Sequence, residues 1–177
     1  RKKISFLIMP IFLIGYMCSG KSTIGSLLAK KMNFNFVDLD SLIEQELGLT
    51  ISEIFLNKGE KFFRKIERNI LTSYAFDNST IIATGGGTPC FFENNDFMNY
   101  SGITIYLKVS CKELVRRLKI NYKRPLLFNN KICLNDFVNS QIIHREKYYF
   151  RSRFTIESDS ISPNQIYNLL KKNYEKI

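Results

Sequence analysis

Apolar positions along this chain follow two alternating rhythms. Short runs at Ile11 to Ile14, Asn35 to Val37, Thr80 to Ala83, Ile103 to Val109 and Phe154 to Ile156 have the length and composition of strands. Between them the spacing becomes helical. Ile24, Leu27, Leu28 and Met32 make one apolar face after the first run. A helix over Ser41 to Glu46 follows the second, and Thr50 with Glu53 forms a capping box that opens another short helix. Phe62, Phe63, Ile66, Ile70 and Tyr74 mark a longer one. Further helices are expected after Ser110 and after Asn135, and Ser162-Pro163 gives an N-cap and first-turn proline to a last helix through Tyr167, Leu170 and Tyr174. Alternating strands and helices predict an α/β fold, a parallel sheet covered on both faces. The stretch from about 119 to 131 breaks the rhythm with Arg124-Pro125 and Asn129-Asn130, and reads as a mobile covering loop.

Composition narrows this picture. With 177 residues, 45% of them hydrophobic, the chain supports one well-buried core, so a single domain over 1–177 is expected. The four cysteines (Cys18, Cys90, Cys111, Cys133) form no C-x-x-C pair, and with His144 the only histidine no zinc cluster can be assembled. That usage fits a reducing cytoplasm. The net charge of +10 suggests an anionic partner. The general enrichment in Asn, Ile, Lys and Phe makes charge poor evidence for nucleic acid, so none is expected. Arg1-Lys2-Lys3, the apolar stretch to Ile14 and Cys18 imitate a lipoprotein signal, but a phosphate-loop motif continues through the would-be cleavage site. The stretch is shorter than the roughly 20 apolar residues of a membrane span and contains Pro10, so no membrane association is expected. Residues 1–8 read as an extension outside the core fold.

The sharpest chemical signal is Gly15-Tyr16-Met17-Cys18-Ser19-Gly20-Lys21-Ser22, which satisfies G-x-x-x-x-G-K-[ST] directly after a strand and before a helix. Such a turn aims backbone N–H groups and a helix N-terminus at one small volume, where a triphosphate fits. Lys21 is placed to reach the β- and γ-phosphates and Ser22 to hold Mg²⁺.

Four further groups fall where an α/β sheet gathers polar residues, at the carboxyl ends of its strands. Asp38 and Asp40 flank Leu39 after the second strand. At alternate positions of an extended segment they project to one side, one toward Mg²⁺ and one toward a hydroxyl; a helix cap by Asp40 is the alternative. Arg64 stands one turn before Glu67, a spacing that by itself describes an exposed ion pair. Thr84-Gly85-Gly86-Gly87-Thr88-Pro89 puts three glycines at a strand end, which points to close approach of a ligand to the main chain. Arg116, Arg117, Arg124 and Arg145 form a basic set whose Arg124, before a proline in the covering loop, could swing onto a phosphoryl group.

In order and content, the phosphate loop, Asp38 with Asp40, Phe63-Arg64 with Glu67, Gly85 to Gly87, Arg124-Pro125-Leu126-Leu127 and Arg145 with Tyr149 resemble the shikimate kinases, from about Ile11 to the last helix. The resemblance implies a three-layer α/β/α fold of P-loop type with a five-stranded parallel sheet ordered 2-3-1-4-5. It also implies a substrate-binding segment over about 40–72 and a lid over about 119–131. The implied reaction is transfer of a phosphoryl group from ATP, with Mg²⁺, to the 3-hydroxyl of shikimate, in aromatic amino-acid biosynthesis. Lys21, Asp40 and Arg124 are the implied catalytic residues. Gly15, Cys18, Ser19, Gly20, Lys21, Ser22 and Thr23 would hold the nucleotide together with Arg117 and Arg124. Asp40, Arg64, Gly85, Gly86, Gly87 and Arg145 would hold shikimate, and Ser22 and Asp38 the metal. Glu67 would orient Arg64, and a cytoplasmic monomer is expected.

Two departures stand out. The family loop usually has glycine at the position of Cys18, where a side chain at positive φ costs about 1–3 kcal/mol. A thiol beside a helix N-terminus is open to oxidation, and a small residue tolerated in that place is the plainer reading. Ile161 stands where the family often has arginine. A kinase for another small polyol or acid, and a silent nucleotide-binding module, are the competing functions.

Overall fold

β1 (Ile11–Ile14) is the central strand, and its four side chains are all fully buried. Its solid apolar run has a direct cause. Phe12 and Ile14 point into one core and Ile11 and Leu13 into another, so both faces of the sheet are covered. The computed structural model describes residues 9–74, 76–120 and 133–174. β2 (Asn35–Asp38), β3 (Thr80–Ala83), β4 (Ile103–Lys108) and β5 (Phe154–Glu157) complete a five-stranded sheet ordered β2-β3-β1-β4-β5. All its pairs are parallel, with Ile11 opposite both Ile81 and Ile103. This is the order that the resemblance implies.

α1 (Lys21–Met32) and α7 (Pro163–Tyr174) cover one face, placing Ile24, Leu28, Ala29, Ile166 and Leu170 against Ile11, Leu13 and Ile105. The other face carries α2 (Leu39–Leu47), α3 (Ile51–Ser73), α4 (Asn94–Ser101), α5 (Cys111–Ile120) and α6 (Leu134–Tyr149). Their buried Ile43, Phe63, Leu71, Met98, Leu114 and Val138 join Phe12, Ile14 and Ile82. Each such fully buried side chain contributes about 1.5–3 kcal/mol.

The strands extend one residue beyond the expected ends in β2 and β5 and stop one short in β4. The capping box at Thr50 and Glu53 is formed, with the Thr50 N–H donating to Glu53 Oε2 at 2.8 Å. α3 breaks at Gly59 (φ 77°, ψ 168°), so the expected short capped helix and the longer helix meet end to end around one glycine. α4 and a short 3₁₀ turn over Thr88–Cys90 were not legible. α4 carries few apolar residues, and Glu93 before it, at φ 57°, makes no side-chain cap. The expected covering loop starts later than position 119, because Leu114, Val115 and Leu118 carry α5 through Ile120. Its remainder, with Arg124, lies outside the described residues, as do residues 1–8. Among the described residues no helix is long and apolar enough to cross a membrane.

Candidate active site

The carboxyl ends of β1, β2 and β3 deliver the phosphate loop, Asp38 with Asp40, and the glycine turn to one edge of the sheet. Gly15 leaves β1 at φ 151°, and Gly20 caps α1 at φ 99°. Lys21 is buried and folds back over the loop, donating from Nζ to the carbonyls of Gly15 and Tyr16 at 2.8 Å each. Ser22 and Thr23 are exposed in the first turn of α1, whereas Ser19 is buried and its hydroxyl has no hydrogen-bond partner among the described residues.

Cys18 does occupy the left-handed region, at φ 62°. Its backbone is tethered there: Arg117 donates to the Cys18 carbonyl (3.1 Å), to the Asp159 carbonyl (2.6 Å) and to Glu113 (2.7 Å). Arg117 thus joins α5, the phosphate loop and the turn after β5. Arg116 takes no part, being exposed and paired with Glu113. Those two arginines hold the Glu113 carboxyl down at about 2.

Asp38 and Asp40 are not an alternating extended pair, because α2 starts at Leu39 and places Asp40 in its first turn. The helix cap is Asp38 rather than Asp40: its Oδ1 accepts from the N–H groups of Asp40 (3.1 Å) and Ser41 (3.4 Å). The other Asp38 oxygen accepts from the Ser22 hydroxyl at 2.5 Å. A hard-oxygen pair at the mouth of a phosphate loop suits Mg²⁺, which takes one or two protein oxygens and keeps waters and phosphate oxygens for the rest. Asp40 turns instead to the glycine turn. A methyl group built on Gly85 would lie 2.9 Å from Asp40 Oδ1, 2.9 Å from Thr88 Oγ1 and 3.0 Å from Glu67 Oε1. Two carboxylates and a hydroxyl therefore meet over a backbone with no room for a side chain.

Arg64 is buried, contrary to the exposed ion pair its spacing alone describes. Its guanidinium bonds Glu67 (2.8 Å) and Glu60 (3.1 Å) and faces the rings of Phe91 (4.4 Å) and Phe63 (4.9 Å). A Cβ on Gly87 would collide with that guanidinium. Glu67 is fully buried, and its second oxygen accepts from the Thr88 hydroxyl at 2.5 Å. Burial pushes the Glu67 carboxyl up; Arg64 and the Thr88 bond pull it down, and the Asp40 charge adds to the rise. Behind it, Asn94 donates to the Thr88 carbonyl (2.8 Å) and accepts from Arg68 (3.0 Å). Asn94 and Phe91 carried no functional signal in the sequence, and Thr88 only as part of the glycine turn, since only the fold brings them to Arg64.

On the opposite wall Arg145 lies over the Tyr16 ring at 5.5 Å, and its Nη1 would be 3.7 Å from a Cβ on Gly86. A buried arginine at Gly87 and a half-buried one at Gly86 thus stand against a bare stretch of main chain. That arrangement suits a small molecule bearing a carboxylate and hydroxyls. The predicted site residues among those described gather at this edge, apart from Arg116, while Arg124 lies outside the described residues.

The sequence model of the family described as shikimate kinase matches residues 17–175. A shikimate kinase of Flavobacterium psychrophilum is 46% identical over 166 residues, covering 92% of this chain and 96% of that protein. The crystal structure of shikimate kinase from Bacteroides thetaiotaomicron superposes with a TM-score of 0.85 at 37% identity, covering 93% of this chain and 97% of that one. The Acinetobacter baumannii enzyme, solved in complex with shikimate, gives 0.86 at 29% identity, covering 94% of each chain.

Proposed function

The chain belongs to the shikimate kinase family, and we propose that it transfers the γ-phosphoryl group of ATP to the 3-hydroxyl of shikimate, with the residues of this edge in the following roles. Arg64 and Arg145 hold the substrate carboxylate by charge-assisted bonds from opposite walls. Asp40 accepts from the reacting hydroxyl and takes its proton as the new P–O bond forms, and Gly85, Gly86 and Gly87 offer main chain to the ring. Gly15, Cys18, Ser19, Gly20 and Thr23 wrap the phosphates, and Arg117 lies on the adenine side. Ser22 and Asp38 are the protein oxygens for Mg²⁺, which when bound offsets charge on the β- and γ-phosphates. Lys21 leaves the loop carbonyls for those phosphates, and Arg124 joins it on the transferring group. The transition state is loose, so positioning and charge supply most of the rate. Glu67, locked by Thr88, fixes the rotamer of Arg64.

The observation that carries this reading is the convergence of Asp40, Arg64, Arg145 and the glycine turn beside a phosphate loop. A gluconate-type acceptor gives less reason for two arginines to flank Asp40. The reading extends to a single domain over 1–177 with a substrate segment at about 40–72 and a lid near 119–131. It also includes a cytoplasmic monomer with no nucleic-acid or membrane partner. The test is coupled ADP release with Mg-ATP and shikimate, quinate, gluconate or no acceptor. Turnover on shikimate alone is expected; equal turnover on gluconate, or none on any acceptor while ATP still binds, overturns the assignment.

A further inference from the structure

Tyr149 is the last residue of α6, one helical turn after Arg145 and on the same side of the helix. It is wholly buried, and its ring packs against Tyr106 of β4 with centroids 5.1 Å apart. Its hydroxyl donates across the site to the Gly86 carbonyl at 2.5 Å. Burial pushes the Tyr149 hydroxyl up, with the Arg145 charge opposing, so the group stays protonated and a donor at neutral pH. The end of α6 is itself anchored: Asn95 donates to the Tyr148 carbonyl and Asn99 to the Arg151 carbonyl.

The Gly86 carbonyl and the Gly87 N–H belong to one rigid trans peptide unit and point in opposite directions. Holding the carbonyl therefore aims the N–H. Between two glycines such a unit would otherwise rotate easily, since neither residue has a Cβ to bias it. The same place is crowded by functional groups. A Cβ on Gly86 would be 3.2 Å from the Met17 nitrogen and 3.6 Å from the Gly15 carbonyl of the phosphate loop, besides Arg145. One hydroxyl thus sets the direction of a main-chain donor between the two arginines.

We infer that Tyr149 is a positioning residue for shikimate: by holding the Gly86 carbonyl it aims the Gly87 N–H at the substrate and keeps Arg145 and the glycine turn in one preformed surface. This rests on the reading of Arg145 and the glycine turn as the substrate floor. A residue serving only the core would contribute to stability and leave substrate affinity alone, and kinetics separate the two roles.

Tyr149→Phe keeps the buried ring and removes the donor. Shikimate KM is expected to rise about tenfold, with kcat and the ATP KM within about twofold. Calorimetric titration with shikimate should show the weaker Kd at an undiminished number of sites. Arg145→Lys is measured in parallel. If it raises shikimate KM while Tyr149→Phe does not, or if Tyr149→Phe only lowers the number of binding sites, the inference is overturned and the floor assignment stands. If neither variant changes shikimate KM, the floor assignment fails and the inference with it. In the wild-type protein the Gly87 amide resonance should shift on addition of shikimate; an unmoved resonance under saturating shikimate also overturns the inference.

Discussion

Asp40 is held by the first turn of α2 with its carboxylate over Gly85, close to the buried Glu67 carboxylate and the Thr88 hydroxyl. Glu67 spends both oxygens on Arg64 and Thr88, and the proposed function gives the substrate hydroxyl to Asp40. Asp40→Asn should lower kcat about 100-fold or more while the ATP KM stays within about twofold, read from initial rates at saturating shikimate. Equal loss in both would remove Asp40 from the proton path. Glu67 makes a separate prediction about pH. Its carboxyl is raised in the folded state, so folding takes up a proton between the ordinary glutamate value, about 4.3, and the raised one. Stability should fall as pH climbs through that window and level off above it. Glu67→Gln should flatten this slope in urea midpoints measured from about pH 4 upward.

At the scale of elements, the join within α3 sets how its first part meets the part that carries Arg64. Gly59 holds φ 77° and ψ 168°, backbone that glycine alone adopts readily, yet a Cβ there would meet nothing within 4 Å. Gly59→Ala therefore tests conformation without steric clash. It should destabilise by about 1–3 kcal/mol, a drop of several degrees in Tm by calorimetry, and raise shikimate KM more than ATP KM because Arg64 follows the break. The caps were legible where they are local: Thr50 with Glu53, and Ser162, whose hydroxyl accepts from the Gln165 N–H at 3.3 Å. α4 was not legible, because Asn94 and Asn95 are buried through bonds to Thr88 and Tyr148 rather than through an apolar stripe.

The whole molecule carries a net charge of +10, and its two substrates are anions. The field should speed their capture and be screened by salt. Raising ionic strength from about 0.02 M to about 0.2 M should lower kcat/KM for shikimate about threefold or more, with kcat nearly constant. A kcat/KM independent of salt would show that the charge is merely solvated surface.

The sequence by itself determined the strands of the sheet and the phosphate-loop turn. Solid apolar runs, helical spacing and the phosphate-loop motif act within a few residues, and so they survive in one dimension. Tertiary structure alone decided three things: that Arg64 is buried against Glu67 and Phe91, that Asp38 rather than Asp40 caps α2, and that Tyr149 reaches Gly86. The first and third depend on chain segments tens of residues apart meeting at one sheet edge, and the second on where a strand stops and a helix begins. Burial and hydrogen-bond partners are properties of that meeting and not of any residue's own position in the chain.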